Sequence, residues 1–370
     1  MRIGLDVTPL SVPLTGIGVF ASQLARAVHD DPSAVLVPIA LSGRSRNVIA
    51  DRLPAGVRLG RSYPAGLLHR LWKRLDHPTA GQLFGKTDLV HGTNFYGIPP
   101  GRGTAELISI HDAGPWQRPA DVAPAVRFFP ALAERAIERG AHVHALSRAA
   151  ADELIDLLGL EPDRVHPIHL GFDPPVEDPD KPPEFATLAG TRYALAVGTL
   201  EPRKRFAELI ESFEPLLADN PDLSLVIAGG GPEEARLRDG INRTGSKADR
   251  VHLVGYVPAA AKSWLLRNAA VVVSNARTEG FGMVPLEAMS VGTPVVSTDG
   301  AVQREVCGGA ALFIPVDNPD ALPQAVSLVL NDSDLAERLI DEGRAQAARF
   351  TWTECTTALI RLYRKLSGVP

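Results

Sequence analysis

The sequence predicts an α/β protein made of two doubly wound halves, each a parallel sheet with helices on both faces, facing each other across a cleft. Three observations predict it. Short apolar runs alternate with helical patterns along the chain. The runs are β-branched and apolar on both faces, as strands buried in a parallel sheet are. A proline-rich stretch near the midpoint divides the alternation in two, and 370 residues suit two domains at roughly 150 residues each.

In the first half the expected strands are Ile3–Asp6, Val35–Ala40, Asp88–His91, Leu107–His111, His142–Leu146 and Val165–Ile168. Helical patterns lie between them at Gly18–His29, Ala125–Arg139 and Arg148–Leu158. In the first of these Phe20, Leu24, Ala27 and Val28 recur at helical spacing. From Gly171 to Pro183 there are five prolines and four acids. Proline removes backbone donors and disfavours helix at the preceding residue, so this stretch reads as an extended linker.

The alternation then restarts. Strands are expected at Tyr193–Val197, Leu223–Ala228, Val251–Leu253, Ala270–Val273, Pro294–Ser297 and Ala311–Ile314. Helices are expected at Phe206–Leu217, Glu233–Asn242, Ala259–Asn268, Val284–Ser290, Pro319–Leu330 and Asp334–Arg349, with a last amphipathic helix at Thr353–Leu366. In open α/β sheets ligands bind beyond the carboxyl ends of the strands, so both halves should point their functional loops at the cleft.

Composition removes several classes. A formal charge of −5 argues against a duplex-wrapping nucleic-acid binder. Cys307 and Cys355 are the only cysteines, which excludes a disulfide scaffold and a thiolate zinc site and fits a reducing compartment. No HExxH run is present, and no essential metal or cofactor is expected. Asp6 interrupts the first apolar run too early for a signal-peptide core, and no apolar stretch approaches the ~18 residues that span a bilayer. The chain reads as cytoplasmic.

The most informative stretch is Thr278-Glu279-Gly280-Phe281-Gly282-Met283-Val284-Pro285-Leu286-Glu287, which follows the strand Val271-Val272-Val273. Gly280 and Gly282 let backbone approach a ligand closely. The helix that follows offers free N–H groups and a partial positive charge, which suit a phosphate. Glu279 and Glu287 bracket its start. An anion-binding helix between carboxylates suits a ligand both anionic and rich in hydroxyls, and a nucleotide sugar is one. The plainer alternative is that Glu279 complements the helix dipole and Glu287 is a solvated helix residue.

A second stretch, Val197-Gly198-Thr199-Leu200-Glu201-Pro202-Arg203-Lys204-Arg205, places three cations after a strand. Lysine is a point charge for phosphate and arginine can grip it with two parallel bonds. The alternative is a solvated basic run. A third, Ala228-Gly229-Gly230-Gly231-Pro232, is by itself a strand-to-helix turn with proline at the first helical position.

The first half holds Thr15-Gly16-Ile17-Gly18-Val19-Phe20-Ala21, a degenerate GxGxxA dinucleotide fingerprint. Eight residues separate it from its strand, whereas the fingerprint needs glycine directly after the strand. It reads instead as a flexible glycine loop opening a helix into the cleft, with an NAD-dependent oxidoreductase as the competing reading. His111-Asp112 ends a strand and is placed for work in the cleft, and His91 is a weaker candidate of the same kind. Leu67–Leu75 is short, basic and amphipathic, with Leu68, Leu71, Trp72 and Leu75 on one face. It suits either weak contact with an anionic membrane surface or packing on its own domain.

Together these pieces resemble a retaining glycosyltransferase of the GT-B fold, family 4. The resemblance covers essentially the whole chain. It is carried by Glu279 and Glu287 with seven residues between them in EGFGMVPLEAMSVGTPVV, preceded in family order by VGTLEPRKR, AGGGP and VGYV. The opening MRIGLDVTPL…TGIGVF is similar to bacterial members that build surface polysaccharides, many of them mannosyltransferases.

The resemblance implies the following roles. Residues 1–172 would form an acceptor-binding domain, 173–191 the linker, 192–350 a nucleotide-sugar-binding domain, and 351–370 a helix returning to the first domain. Lys204 and Arg203 would hold the donor diphosphate, and Glu287 the ribose hydroxyls. Glu279, with backbone N–H groups of Phe281, Gly282, Met283 and Val284, would hold the transferred sugar and its phosphate. The Gly255-Tyr256-Val257 loop would lie near the nucleobase, and Gly198 in the phosphate turn. Gly16 and Gly18 would approach the diphosphate, and His111 would sit beside the reacting carbon on the acceptor side.

Many members carry arginine where this chain has Thr199, so its phosphate contact would pass to Arg203 or Arg205. GDP-mannose is the first donor implied and UDP-hexoses the next. The acceptor would be a glycan, lipid-linked or small-molecule hydroxyl set by loops such as Ser42–Gly56 and Trp116–Pro124. A nucleotide-sugar epimerase or phosphorylase on the same fold, and a non-catalytic carbohydrate-binding subunit, are the alternatives.

Overall fold

A computed structural model describes residues 1–11, 16–42, 45–122, 127–188, 190–318 and 320–369. The chain divides into two units. One comprises Met1–Gln117, Pro124–Gly171 and Thr351–Pro370, the other Arg118–Ala123 and Phe172–Phe350.

The first unit is built on a six-stranded parallel sheet. Its strands are β1 (Arg2–Asp6), β2 (Val35–Ile39), β3 (Leu89–Gly92), β4 (Ala105–Ile110), β5 (His142–Ala145) and β6 (Val165–Pro167), in the order β2-β1-β3-β4-β5-β6. β1 pairs with β2 through Ile3↔Leu36 and with β3 through Ile3↔Leu89, which makes it an interior strand, and its Ile3 and Leu5 are fully buried. Its helices are α1 (Gly16–Asp30), α2 (Arg46–Arg52), α3 (Ala65–Trp72), α4 (Ala80–Phe84), α5 (Gly114–Gln117), α6 (Phe129–Glu138) and α7 (Arg148–Leu158).

The second unit repeats the plan. β7 (Arg192–Val197), β8 (Leu223–Ala228), β9 (Val251–Gly255), β10 (Val271–Ser274), β11 (Val295–Thr298) and β12 (Ala311–Ile314) form a parallel sheet in the order β12-β11-β10-β7-β8-β9. Its helices are α8 (Phe206–Asp219), α9 (Glu234–Arg243), α10 (Ala259–Asn268), α11 (Met283–Ser290), α12 (Ala301–Cys307), α13 (Ala321–Asn331) and α14 (Ser333–Ala347). All six residues of β8 are buried, Ser224 included, as in a strand covered on both faces. Leu209, Phe213 and Leu217 recur along one face of α8 and join the core over that sheet.

Each expected strand is present, within two residues of its expected ends. The expected helix over Ala125–Arg139 begins only at Phe129, and residues 125 and 126 lie outside the described residues, as does Pro319. Part of the stretch Ser42–Gly56 is the helix α2, and residues 43, 44, 123 and 124 of the two acceptor loops are outside the described residues. The proline-rich stretch is tied down rather than free. Val176 N–H donates to Ser263 Oγ at 2.9 Å, and Arg267 Nε donates to Val176 O at 3.0 Å.

α3 corrects the expected amphipathic face. Leu68, His69 and Trp72 are buried in the first unit, whereas Leu75 lies past the helix end and is exposed along with Leu67. Trp72 Nε1 donates to Pro78 O at 2.9 Å, so this face is spent on the unit's own core.

The last helix, α15 (Trp352–Ser367), belongs to the first unit. Arg364 reaches Asp31 at 2.6 Å, and Tyr363 is fully buried against the sheet. There it ends a hydrogen-bonded chain whose direction can be derived. His144 Nε2 lies 3.0 Å from Ile168 O, which only accepts, so the proton is on Nε2 and Nδ1 accepts. Ser109 Oγ–H therefore donates to His144 Nδ1 at 2.8 Å and accepts from His91 Nε2–H at 2.8 Å. His91 Nδ1 in turn accepts from the Tyr363 hydroxyl at 2.6 Å.

His91 is thus a structural residue fully inside the sheet, not a reagent at a strand end. His142, two residues before His144 on β5, pairs instead with His166 at 3.0 Å.

Burial drives both His91 and His144 below the usual imidazole range, His144 to about 4. The neutral forms are favoured in the folded chain, so their stabilisation is complete above the unfolded value of 6.5 and fades as pH falls toward 4. Urea unfolding of the first unit's signal should show lower stability at pH 5 than at pH 7.5. In Tyr363→Phe, which orphans His91 Nδ1, stability at pH 7.5 should drop by about 1–3 kcal/mol.

Candidate active site

The site in the second unit is assembled from loops at the carboxyl ends of β7, β8, β9 and β10. Backbone bonds zip these loops together. Gly198 N–H donates to Ala228 O at 3.0 Å, Leu200 N–H to Gly230 O at 3.1 Å, and Gly229 N–H to Gly255 O at 2.7 Å. Arg277 N–H donates to Arg203 O at 2.9 Å, which joins the loop after β10 to the loop after β7. Such close approach is why glycines cluster here. A Cβ on Gly229 would lie 1.8 Å from Gly198 O, at a φ of +148°, and one on Gly231 would lie 2.6 Å from Leu200 backbone.

On this frame the charged side chains meet. Lys204 Nζ bonds Glu279 Oε1, and Arg203 Nη1 lies 3.6 Å from Glu279 Oε2. Arg203 also holds Glu201 at 3.0 Å. The side chains of Lys204, Arg203 and Glu279 are only 16%, 19% and 11% exposed, so this is neither a solvated basic run nor a dipole complement on the surface. Burial pushes the Glu279 carboxyl up, but Lys204 and then Arg203 outweigh it and hold it below its ordinary value.

Arg205 does not join them. It takes a left-handed backbone conformation ahead of α8, is 6% exposed, and donates to Val316 O. The expected transfer of phosphate contact to Arg205 is therefore not what the structure presents, and Arg203 beside Glu279 is the available arginine.

α11 begins at Met283 behind Gly282, whose φ of +91° turns the chain into the helix. Phe281 is buried edge-on against Phe350 at 5.6 Å, so its ring is spent on packing. The helix is braced from behind. Gly343 of α14 sits so close that a Cβ there would be 3.1 Å from Met289.

Glu287, one turn into α11, is 8% exposed rather than solvated. Its Oε1 accepts from Lys262 Nζ at 2.7 Å, while Oε2 is buried without a hydrogen-bond partner. Burial raises the Glu287 pKa, and Lys262 opposes that rise. Gly255 carries a φ of +73°, and Tyr256 beside it is 69% exposed, with Val257 leading toward α10. Lys262 was not expected from the sequence. It is a lone cation in an alanine-rich helix start, and its partner is 25 residues away.

In the first unit, Gly16 and Gly18 form the first turn of α1 rather than a loop ahead of it, and Thr15 lies outside the described residues. His111 follows β4 and is 6% exposed. Its Nε2 donates to Thr93 O at 2.8 Å, and its ring packs against Phe95 at 5.2 Å and Phe20 at 6.0 Å. Thr93 O only accepts, so Nδ1 is left as the unprotonated nitrogen. Burial also lowers the His111 pKa. Phe95 has a φ of +60°, which an aromatic residue adopts only when its surroundings impose it.

A family model for "Glycosyl transferases group 1" matches residues 178–346, and one for "Glycosyltransferase Family 4" matches residues 14–175. Among characterised proteins, the chain is similar to the O-antigen chain mannosyltransferase B of Escherichia coli, with 28% identity over 99% of this chain and 100% of that protein. A phosphatidyl-myo-inositol mannosyltransferase of Mycobacterium tuberculosis is 33% identical over 45% of each chain. Among solved structures, sucrose-phosphate synthase from Thermosynechococcus elongatus superimposes with a TM-score of 0.74 at 20% identity over 100% of both chains. Anabaena Alr3699/HepE in complex with UDP-glucose gives 0.74 at 18% identity, over 99% of this chain and 100% of that one.

The three glycines after β8 should respond unequally to a methyl group. A Cβ on Gly230 meets nothing within 4 Å, so Gly230→Ala should melt as the parent does. Gly229→Ala, forced against Gly198 O, should cost about 1–3 kcal/mol and lower the melting temperature by several degrees in calorimetry.

Proposed function

This chain belongs to glycosyltransferase family 4, has the GT-B fold and is a hexosyltransferase that draws on a nucleotide sugar, and from that premise we propose that mannose is the sugar it moves and GDP-mannose the donor. The acceptor in this reading is a hydroxyl of a growing or lipid-linked surface glycan. The α configuration at the transferred carbon is retained. Similarity to the E. coli O-antigen mannosyltransferase over the full chain supports mannose and a glycan acceptor. The observation that carries the site assignment is Glu279 held between Lys204 and Arg203 at the mouth of two strands.

The chemistry follows from charge. When the glycosidic bond to phosphate breaks, the leaving diphosphate gains negative charge. Lys204, Arg203 and the N–H groups of Phe281, Gly282, Met283 and Val284 at the start of α11 would stabilise that charge more in the transition state than before it. Diphosphate binding would draw both cations from Glu279, which frees that carboxylate for hydroxyls of the transferred sugar. Glu287 Oε2, buried and lacking a protein partner, is the acceptor for ribose hydroxyls. Gly198 shapes the phosphate turn, and Gly255, Tyr256 and Val257 border the base. The leaving phosphate takes the acceptor's proton on the same face, so no separate base is assigned.

The first unit is proposed to receive the acceptor. There His111 offers Nδ1 as a hydrogen-bond acceptor because Thr93 O engages Nε2, and Gly16 and Gly18 let backbone come close at the start of α1. No helix among the described residues is long and apolar enough to cross a membrane. The reading places the reaction in the cytoplasm, and any contact with the inner membrane surface would fall to exposed Leu67, Arg70, Lys73 and Leu75 around α3.

Lys204→Ala should lower turnover about 10²–10³-fold, the usual effect of losing one transition-state donor, with the fold intact by circular dichroism. Glu287→Ala should weaken donor use as severely. Nucleoside diphosphate should be released from GDP-mannose only when an acceptor is present. Unchanged turnover in both variants, or release without acceptor and with epimerised sugar, would overturn the reading.

A further inference from the structure

Glu287 carries an unusual burden for a helix residue. It is 8% exposed, Oε1 is bonded to Lys262 Nζ at 2.7 Å, and Oε2 is sealed from solvent with no donor. A buried anionic oxygen without a partner is costly, and chains retain such an atom where a ligand completes it. Two charged groups face this carboxylate. Lys262 comes from α10, and Asp173 from the segment that precedes β7. α11 carries no other charged side chain. Asp173 and burial both favour the protonated acid, and Lys262 is the cation that resists them.

We propose that Lys262 is a positioning residue for the nucleotide: by holding Oε1 it turns Oε2 toward the ribose as a charged, acceptor-only group for the 2′ and 3′ hydroxyls. The inference rests on the reading of Glu287 as the ribose-binding acid. The geometry explains why a lysine is needed at that place. A protonated carboxylic acid would put a donor and a weaker acceptor where the two ribose O–H donors arrive, whereas a carboxylate accepts both. Lys262 stands on the far oxygen, so it need not touch the nucleotide. It is 30% exposed, which leaves room for substitution without opening the core.

Titration calorimetry of the full chain with GDP and with UDP identifies the tighter nucleotide, which is then compared with its 2′-deoxy form at pH 7 and pH 9. In the parent chain the 2′ hydroxyl should improve affinity at both pH values. In Lys262→Met, affinity at pH 7 should fall about tenfold, and the preference for the hydroxylated nucleotide should vanish. Both should return toward pH 9 as Glu287 ionises unaided. Lys262→Arg should keep the preference at pH 7, and Lys262→Gln repeats the test if the methionine variant does not fold.

In turnover, the loss should appear in KM for the donor and leave kcat nearly unchanged. A Lys262→Met chain that binds and discriminates like the parent, while Glu287→Gln does neither, overturns the role of Lys262 and leaves Glu287 as the ribose acid. A loss in Lys262→Met that pH 9 does not restore also overturns it. If Glu287→Gln itself discriminates as the parent does, the ribose reading fails first.

Discussion

One buried carboxylate organises the second unit's functional face. Glu279 is withdrawn from water between Lys204 and Arg203. Burying charge is costly, and such a group persists only when its partners are held in place. The holding is done by backbone, through the bond from Arg277 N–H to Arg203 O and the glycine-permitted contacts between the loops after β7 and β8. A buried ion pair is seldom the most stabilising choice at a site, because apolar residues of equal volume often do as well. If the site receives a diphosphate, as proposed, there is another reason to keep it. In the proposed reading the carboxylate would hold the cations in register until a stronger anion arrives.

The second acid works by a different physics. Glu279 is surrounded by excess positive charge and is held anionic by it, whereas Glu287 is pulled toward neutrality by burial and by Asp173, with Lys262 resisting. Glu279 lies in the loop ahead of α11 and Glu287 within that helix, which Gly343 of α14 braces from behind. The two environments fit two tasks. In the proposed reading one would face a group whose charge changes during the reaction, and the other neutral hydroxyls. The spacing along EGFGMVPLE places them on either side of the helix start, Glu279 before it and Glu287 one turn in.

Much of this is legible in the amino-acid sequence. The parallel sheets are readable because their strands are short apolar runs buried on both faces, and strand–helix alternation leaves few other packings. The meeting of Arg203, Lys204 and Glu279 is readable because each lies in a loop after a strand's carboxyl end, where such sheets put their functional loops. What stays hidden depends on partners distant in sequence. Lys262 looks like any surface lysine until α10 packs beside α11. His91 looks like a strand-end reagent until Tyr363, 272 residues away, arrives on the last helix and completes its bonds. Arg205 looks like one of three equal cations, but its left-handed backbone turns it inward to Val316. Short helices such as α2, α4 and α12 carry too few turns to show a period against their surroundings.

In the proposed reading a diphosphate replaces Glu279 as the partner of Lys204 and Arg203 while Glu287 takes the ribose. A crystal structure of the chain soaked with GDP or UDP tests it most directly. Phosphate oxygens are expected within hydrogen-bond distance of Lys204 Nζ, the Arg203 guanidinium and the first N–H groups of α11, with a ribose hydroxyl on Glu287 Oε2. A nucleotide bound elsewhere, with Lys204 still on Glu279 and Glu287 Oε2 still without a partner, would contradict it.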